Sequence, residues 1–226
     1  MSESSSKKDT AAAPYFVNHD RRLRFPWSLY HGDLMQRLAS SVRSLPRRHD
    51  GSPPRVLIVG CGLEPYVEGA PSATYFGVDL DPGSIQTCRE RFPEMADRLE
   101  VCPSPYELPS APPFDERFDA IVAKEVIEHL EDPTRWTHML VDRLAPGGML
   151  LLTTPNYGTF STLPLLERTV LEVVARLDGY SRKHIHPSRF DRKRLERLDV
   201  GAGVELLGVD ATWTRWALLG RWQKRR

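Results

Sequence analysis

The sequence from residue 55 to residue 62, RVLIVGCG, joins a short apolar run to a glycine-bearing turn. A continuous apolar run of this length is typical of a strand that is buried on both faces of a sheet. Glycine allows tight turns and lets a ligand approach the backbone closely. The stretch therefore predicts a buried strand, Arg55–Val59, that ends in a turn able to face a ligand.

Strands and helices alternate downstream of this turn. The predicted strands are Thr74–Leu80, Leu99–Cys102, Phe118–Lys124 and Met149–Thr154, and the predicted helices are Pro82–Arg91 and Pro133–Leu144, the second stopped by Pro146-Gly147-Gly148. This alternation is typical of right-handed crossovers between parallel strands. The expected fold is α/β, with a doubly wound, mostly parallel central sheet flanked by helices.

The flanking segments are expected to complete a single domain over residues 15–226. Residues 1–14 are rich in Ser, Lys and Ala, which predicts a disordered tail. The segments 15–45 and 160–188 lie outside the alternation and are expected to form a helical cap over the ligand side of the sheet. Further predicted elements are helices at about 28–45, 164–178 and 189–199, a strand at Val204–Ala211, and a Trp-containing terminal helix packed over the sheet.

The composition favours an ordinary globular protein in a reducing compartment. The chain has 226 residues, 31 Lys and Arg against 30 Asp and Glu, and a formal net charge of +1, so a nucleic-acid partner is not favoured. No apolar run reaches the roughly 20 residues of a membrane span, and the first residues lack the apolar block of a signal peptide. The three cysteines show neither a CxxC pair nor metal-finger spacing, so we expect a cytoplasmic protein.

An acidic residue follows the second predicted strand. Asp79 lies 17 residues after Gly62, close to the roughly 20 that separate the glycine turn from the ribose-binding acid in nucleotide-type sites. Carboxyl ends of neighbouring parallel strands meet at one edge of a sheet, where ligands bind. The loop lacks a full GxGxxG pattern, so a dinucleotide that carries a pyrophosphate fits poorly. Asp79 is predicted to accept hydrogen bonds from a ribose diol.

Four segments in order resemble the motifs of class I S-adenosylmethionine-dependent methyltransferases. They read VLIVGCG, YFGVDLDPGSI, FDAIVAKEVIEHL and LAPGGMLLLTTPN, and they define a cofactor-binding core over about residues 55–156. Within this family, the segments are similar to ubiquinone-pathway O-methyltransferases and to natural-product tailoring enzymes. The resemblance implies S-adenosylmethionine as the cofactor and a methyl transfer to a small molecule, with oxygen as the preferred acceptor atom in a biosynthetic or tailoring pathway.

The resemblance also implies roles for individual residues. The implied cofactor-binding residues are Gly60, Cys61 and Gly62 at the methionine half, Asp79 at the ribose, Leu80, Ser104 and Pro105 at the adenine, and Lys124 and Glu125 at the end of the fourth strand. Three positions depart from the family pattern. Ile58 stands in place of a frequent acid, Glu64 in place of a third glycine, and Ser104 in place of an Asp beside the adenine amino group.

Catalysis needs a base only when the acceptor is a hydroxyl or another group that starts protonated, because the sulfonium methyl group is already activated. His129 and His186 are the candidate bases, and no metal is assigned in this interpretation. A competing interpretation takes Glu125, Glu128, His129 and a later His, either His184 or His186, as ligands of a divalent metal. It rests on a weaker resemblance to small-RNA 3′-end 2′-O-methyltransferases. A third possibility is a non-catalytic scaffold that binds the cofactor. The oligomeric state does not follow from the sequence.

Overall fold

The computed structural model describes residues 28–159, 161–164 and 187–226. The strands are β1 (Arg55–Val59), β2 (Thr74–Asp79), β3 (Leu99–Val101), β4 (Phe118–Lys124), β5 (Leu144–Pro155), β6 (Val204–Ala211) and β7 (Ala217–Lys224). The helices include α1 (Ser28–Arg43), α2 (Pro82–Arg91), α3 (Pro133–Asp142) and α4 (Arg192–Glu196), with 3₁₀ turns at Pro93–Arg98 and Ile127–His129.

The seven strands form one sheet in the order β3-β2-β1-β4-β5-β7-β6. Neighbouring strands are parallel from β3 to β5, whereas β7 is antiparallel to both β5 and β6. The predicted doubly wound, mostly parallel sheet is therefore confirmed. Because the chain continues outward in opposite directions from β1 and β4, the strand order reverses between these two strands, which is where such sheets bind their ligands.

Alternate residues of the strands supply two separate cores, one on each face of the sheet. On β1, Val56 and Ile58 lie in the core that α1 and α2 cover, whereas Leu57 and Val59 lie in the core that α3 and α4 cover. Side chains of a strand point alternately to opposite faces, so a strand covered on both sides must be apolar throughout. This explains why β1 is a continuous apolar run.

Three helices begin with the same local signal, an aspartate that caps the first turn. The Asp81 carboxylate accepts hydrogen bonds from the Gly83 and Ser84 N–H groups at the start of α2. Asp132 and Asp191 likewise accept an N–H group each, at the starts of α3 and α4. Proline follows the first two of these aspartates, which suits the first helical position because its missing N–H would have no partner there.

The predicted terminal helix is wrong, because the C-terminal segment forms β7 in the interior of the sheet. This strand lies between β5 and β6, and Ala217, Leu218 and Leu219 are all buried. Buried residues in succession remove the alternation that would mark a half-exposed strand. The strand at Val204–Ala211 is confirmed and forms the edge beside β7.

Other boundaries differ by a few residues. Strand β5 begins at Leu144 and runs through Pro146-Gly147-Gly148, where its register with β4 shifts between Phe118 and Ala120. Helix α4 is shorter than the predicted 189–199. The predicted tail 1–14, residues 15–27 of the cap, and almost all of the helix at 164–178 lie outside the described residues. Within the described part of the chain, none of the helices combines the length and apolar character needed to cross a bilayer.

Candidate active site

The turn after β1 depends on glycine at two positions. Gly60 and Gly62 have φ angles of +65° and +52°, in the left-handed region that side chains other than glycine rarely adopt. A Cβ atom at Gly60 would lie 2.5 Å from Cγ2 of Val126, which follows the end of β4. The backbone of the turn therefore lies against the segment after β4, and a side chain at Gly60 would collide with Val126.

The Asp79 carboxylate is fixed against this turn. Its Oδ2 accepts a hydrogen bond from the Gly62 N–H at 2.7 Å, and its Oδ1 accepts one from the Asp81 N–H at 2.9 Å. Each carboxylate oxygen has a further lone pair, so both can accept an additional hydroxyl donor. Asp79 is half-buried at the carboxyl end of β2, and these two hydrogen bonds fix the orientation of its carboxylate.

The predicted adenine-side residues lie on the outer side of Asp79. Leu80 is 50% exposed, an unusual fraction for a large apolar side chain. The Cys102 N–H donates to the Asp79 carbonyl at 2.8 Å, which holds the segment with Ser104 and Pro105 beside the end of β2. Ser104 is half-buried and Pro105 exposed. These positions give an accessible, partly apolar surface next to the candidate ribose site.

Cys61 is a buried residue of the turn and has the properties of an inert thiol. Its Sγ lies 3.8 Å from the Gly62 carbonyl, which also accepts a hydrogen bond from the Cys88 thiol at 3.1 Å. The hydrogen bond with Cys88, together with burial, raises the pKa of Cys61 well above its ordinary value. A thiol in this state is protonated at neutral pH and is not a nucleophile.

The end of β4 carries a charged pair and a strained residue. Lys124 Nζ lies 2.9 Å from Oε2 of Glu64, so the turn after β1 and the end of β4 are joined by an ion pair. Glu125 has a φ of +56°, and its N–H donates to both the carbonyl and the Oγ1 of Thr153 at 3.1 Å. Left-handed residues other than glycine cost free energy and concentrate at functional sites.

The structure separates the acid–acid–His residues of the metal interpretation into different environments. Glu128 is 1% exposed, whereas the neighbouring His129 is exposed at the end of a 3₁₀ turn. Among the described residues, no group of three or more His, Cys, Asp or Glu side chains could hold a metal ion. His184 and His186 lie outside the described residues. Ser188 contacts the turn, since its N–H donates to the Glu128 carbonyl at 3.1 Å.

Two residues at this edge are not among the predicted site residues. Glu64 stands out in the sequence only as a departure from the family glycine, and its pairing with Lys124 spans 60 residues of sequence. Asn156, at the end of β5, uses its N–H and Nδ2 to bond the carbonyls of Trp216 and Arg215, and its Oδ1 accepts the Gly158 N–H. The sequence signal that could have pointed to Asn156 is its position directly after a buried strand. Asn156 thereby joins the loop after β5 to the β6–β7 turn.

Replacing Gly60 with alanine is expected to lower the free energy of unfolding by roughly 2–4 kcal/mol, the combined effect of left-handed strain and overpacking. Gly51→Ala is the matched control, because Gly51 has a φ of +80° but open space around the position that a Cβ atom would take. Urea unfolding should show a loss of about 1–2 kcal/mol for that control. Val126→Ala should restore part of the Gly60→Ala loss. Equal losses for the two glycine variants would contradict the close approach of Val126.

The glycine turn and the Asp79 carboxylate lie in contact at the carboxyl edge of the sheet, beside the switch point between β1 and β4. A family model described as a methyltransferase domain matches residues 30–208, which is most of the chain and includes β1 to β5. The chain therefore belongs to this methyltransferase family. The resemblance inferred from the four ordered motifs is confirmed at the level of the family.

Individual relatives share part of their length with this chain. This chain is 29% identical over 143 residues to a ubiquinone biosynthesis O-methyltransferase of Alkalilimnicola ehrlichii, and the match covers 61% of this chain and 57% of that protein. It is 35% identical over 127 residues to the human mitochondrial ubiquinone biosynthesis O-methyltransferase, covering 51% of this chain and 33% of that protein. The matches thus span about a third to three fifths of these relatives.

A solved structure shows the same fold over nearly the whole chain. Magnesium protoporphyrin IX methyltransferase from Synechocystis, crystallised with bound S-adenosylhomocysteine, superposes with a TM-score of 0.59. The superposition covers 95% of each chain, and the two sequences are 16% identical. Similarity at this level of identity establishes the shared architecture, and the chemistry of each protein depends on its own site.

Proposed function

We propose that the protein transfers a methyl group from S-adenosylmethionine to an oxygen atom of a small-molecule acceptor. The proposal rests mainly on the contact between the glycine turn and Asp79, which fixes a half-buried carboxylate against the turn at the switch point. Membership of the methyltransferase family and the O-methyltransferase relatives support it. S-adenosylmethionine supplies an activated methyl group on a sulfonium.

The residues at the carboxyl edge around the glycine turn, here called the cleft, would hold the cofactor in a defined orientation. Asp79 would accept hydrogen bonds from the ribose hydroxyls, and the exposed Leu80 would contact the adenine together with Ser104 and Pro105. The backbone of the turn at Gly60, Cys61 and Gly62 would face the methionine half, and Lys124 and Glu125 would close the cleft at the end of β4. Holding acceptor and methyl group in line can contribute several kcal/mol to catalysis.

His129 is the proposed general base for acceptors that begin as hydroxyls. Its exposed position after β4 puts it at the carboxyl edge of the sheet, where an acceptor would approach the methyl group. Removing a proton in the transition state typically contributes about 10²–10⁴-fold to a rate. His186 is a second candidate base, and residues 15–45 and 160–188 are the proposed cover of the acceptor side.

Methyl transfer is tested with tritium-labelled S-adenosylmethionine and a panel of phenols, other hydroxyl compounds and carboxylic acids, with and without EDTA. We expect label in a small-molecule acceptor, undiminished by EDTA, and a loss of rate with a changed pH profile for His129→Ala. Label confined to the 3′ ends of small RNAs and abolished by EDTA would contradict the proposal in favour of a metal-assisted RNA enzyme. Cofactor binding without transfer to any acceptor class would favour a scaffold.

A further inference from the structure

The Glu64–Lys124 ion pair joins the turn after β1 to the end of β4, at the carboxyl edge of the sheet. Glu64 belongs to the turn after β1, and Lys124 is the last residue of β4, the strand next to β1. The Lys124 side chain is only 10% exposed and that of Glu64 is 37% exposed. The Lys124 ammonium therefore lies where water is largely excluded and depends on an opposite charge for stabilisation, whereas the Glu64 carboxylate keeps contact with solvent.

The position of the Glu64–Lys124 pair relative to Asp79 determines which part of a bound ligand contacts the pair. Asp79 contacts the turn from β2, on one side of β1, whereas Lys124 contacts it from β4, on the other side. Consider a nucleoside whose ribose binds Asp79 and whose 5′ substituent extends across the turn. The end of that substituent lies beside Lys124 and Glu64. In S-adenosylmethionine, the 5′ substituent ends in an amino acid, which carries one ammonium and one carboxylate group.

We propose that Glu64 and Lys124 exchange their mutual ion pair for two ion pairs with this zwitterion, an inference that rests on the proposed function. The Lys124 ammonium pairs with the ligand carboxylate, and the Glu64 carboxylate pairs with the ligand ammonium. Neither protein charge is left unpaired in this exchange, so the site avoids the large cost of an isolated buried charge. The glutamate that replaces the family glycine is thereby a binding residue of this chain.

The exchange makes binding depend on the amino-acid end of the ligand. S-adenosylhomocysteine carries the zwitterion, whereas 5′-methylthioadenosine has the same adenosine and a thioether sulfur but no amino acid. The parent protein should therefore bind S-adenosylhomocysteine at least about tenfold more tightly than 5′-methylthioadenosine. Lys124→Met should lose roughly 10- to 100-fold in affinity for S-adenosylhomocysteine, the usual range for a charge-assisted hydrogen bond, and change less than threefold for 5′-methylthioadenosine.

Isothermal titration of the full chain with both nucleosides tests the inference. Glu64→Gln and the double variant Glu64→Gln/Lys124→Met are measured beside Lys124→Met, because the double variant removes both charges of the Glu64–Lys124 pair. Arg192→Met is the control, since it removes an exposed ion pair of similar length, 2.8 Å to Glu196, on α4. Thermal unfolding of each variant establishes that it is folded.

The outcomes separate the inference from the proposed function. The exchange is supported if all three variants of the Glu64–Lys124 pair lose affinity for S-adenosylhomocysteine alone and Arg192→Met does not. Equal losses for both nucleosides, or no loss for either, would overturn it and leave the pair as a structural link between the turn and β4. If the parent protein binds neither nucleoside, the proposed function fails and the inference fails with it.

Discussion

Replacing Asp79 with alanine is expected to weaken the binding of S-adenosylhomocysteine by at least about 100-fold, because two charge-assisted hydrogen bonds to the ribose would be lost. The Asp79 oxygens already accept the Gly62 and Asp81 N–H groups, so the carboxylate is fixed before a ligand arrives. Its removal also frees the Gly62 N–H and loosens the turn. Isothermal titration of the variant and the parent protein measures the effect.

Asp81→Ala is the matched control for this prediction. Asp81 lies two residues further along and caps α2 through its side chain, so its loss should cost about 1 kcal/mol of stability. Its backbone N–H, which contacts Asp79, remains in the variant. We therefore expect nearly unchanged affinity for Asp81→Ala despite its lower melting temperature. An Asp79→Ala protein that binds S-adenosylhomocysteine within threefold of the parent would exclude the proposed ribose contact.

The second large effect concerns stability and the position of β7. Trp222→Ala is expected to lower the free energy of unfolding by about 3–5 kcal/mol, the usual cost of emptying a buried tryptophan site. Trp222 is 2% exposed and pairs with Leu150 of β5 and Leu206 of β6. Its ring lies so close to Gly220 that a Cβ atom at that position would collide with it.

Trp213→Ala provides the comparison, because the Trp213 side chain is 65% exposed in the turn between β6 and β7. Its backbone N–H bond to Asp33 survives the substitution and an exposed site leaves no buried cavity, so we expect a loss at least about 2 kcal/mol smaller than that of Trp222→Ala. Urea unfolding of both variants gives the two free energies. A cost below about 1 kcal/mol for Trp222→Ala would be inconsistent with a strand buried between β5 and β6.

The parallel part of the sheet could be predicted because its sequence signals are local. Strands β1 and β4 have the predicted bounds, since each contains four consecutive apolar residues bordered by charged residues or glycine. Helix α2 also has its predicted bounds, Pro82–Arg91, because Asp81 and Pro82 mark its first turn. Strand β7 escaped prediction because its successive buried residues give no strand period and its neighbour β5 is distant in sequence.

The site was predictable to a different degree at each of its parts. The contact between Gly62 and Asp79 follows from neighbouring parallel strands whose carboxyl ends share an edge. The pairing of Glu64 with Lys124 requires knowing which way two side chains point across β1 and β4, which sequence spacing does not contain. Predicted roles for His129 and the cofactor-binding residues remain predictions, and His186 lies outside the described residues.

A crystal structure of the protein grown with S-adenosylhomocysteine tests the account most directly. We predict that the nucleoside lies across the turn after β1, with both ribose hydroxyls within hydrogen-bonding distance of the Asp79 carboxylate and its amino-acid end beside Lys124. Ligand density elsewhere on the protein, or a ribose that makes no contact with Asp79, would contradict the account.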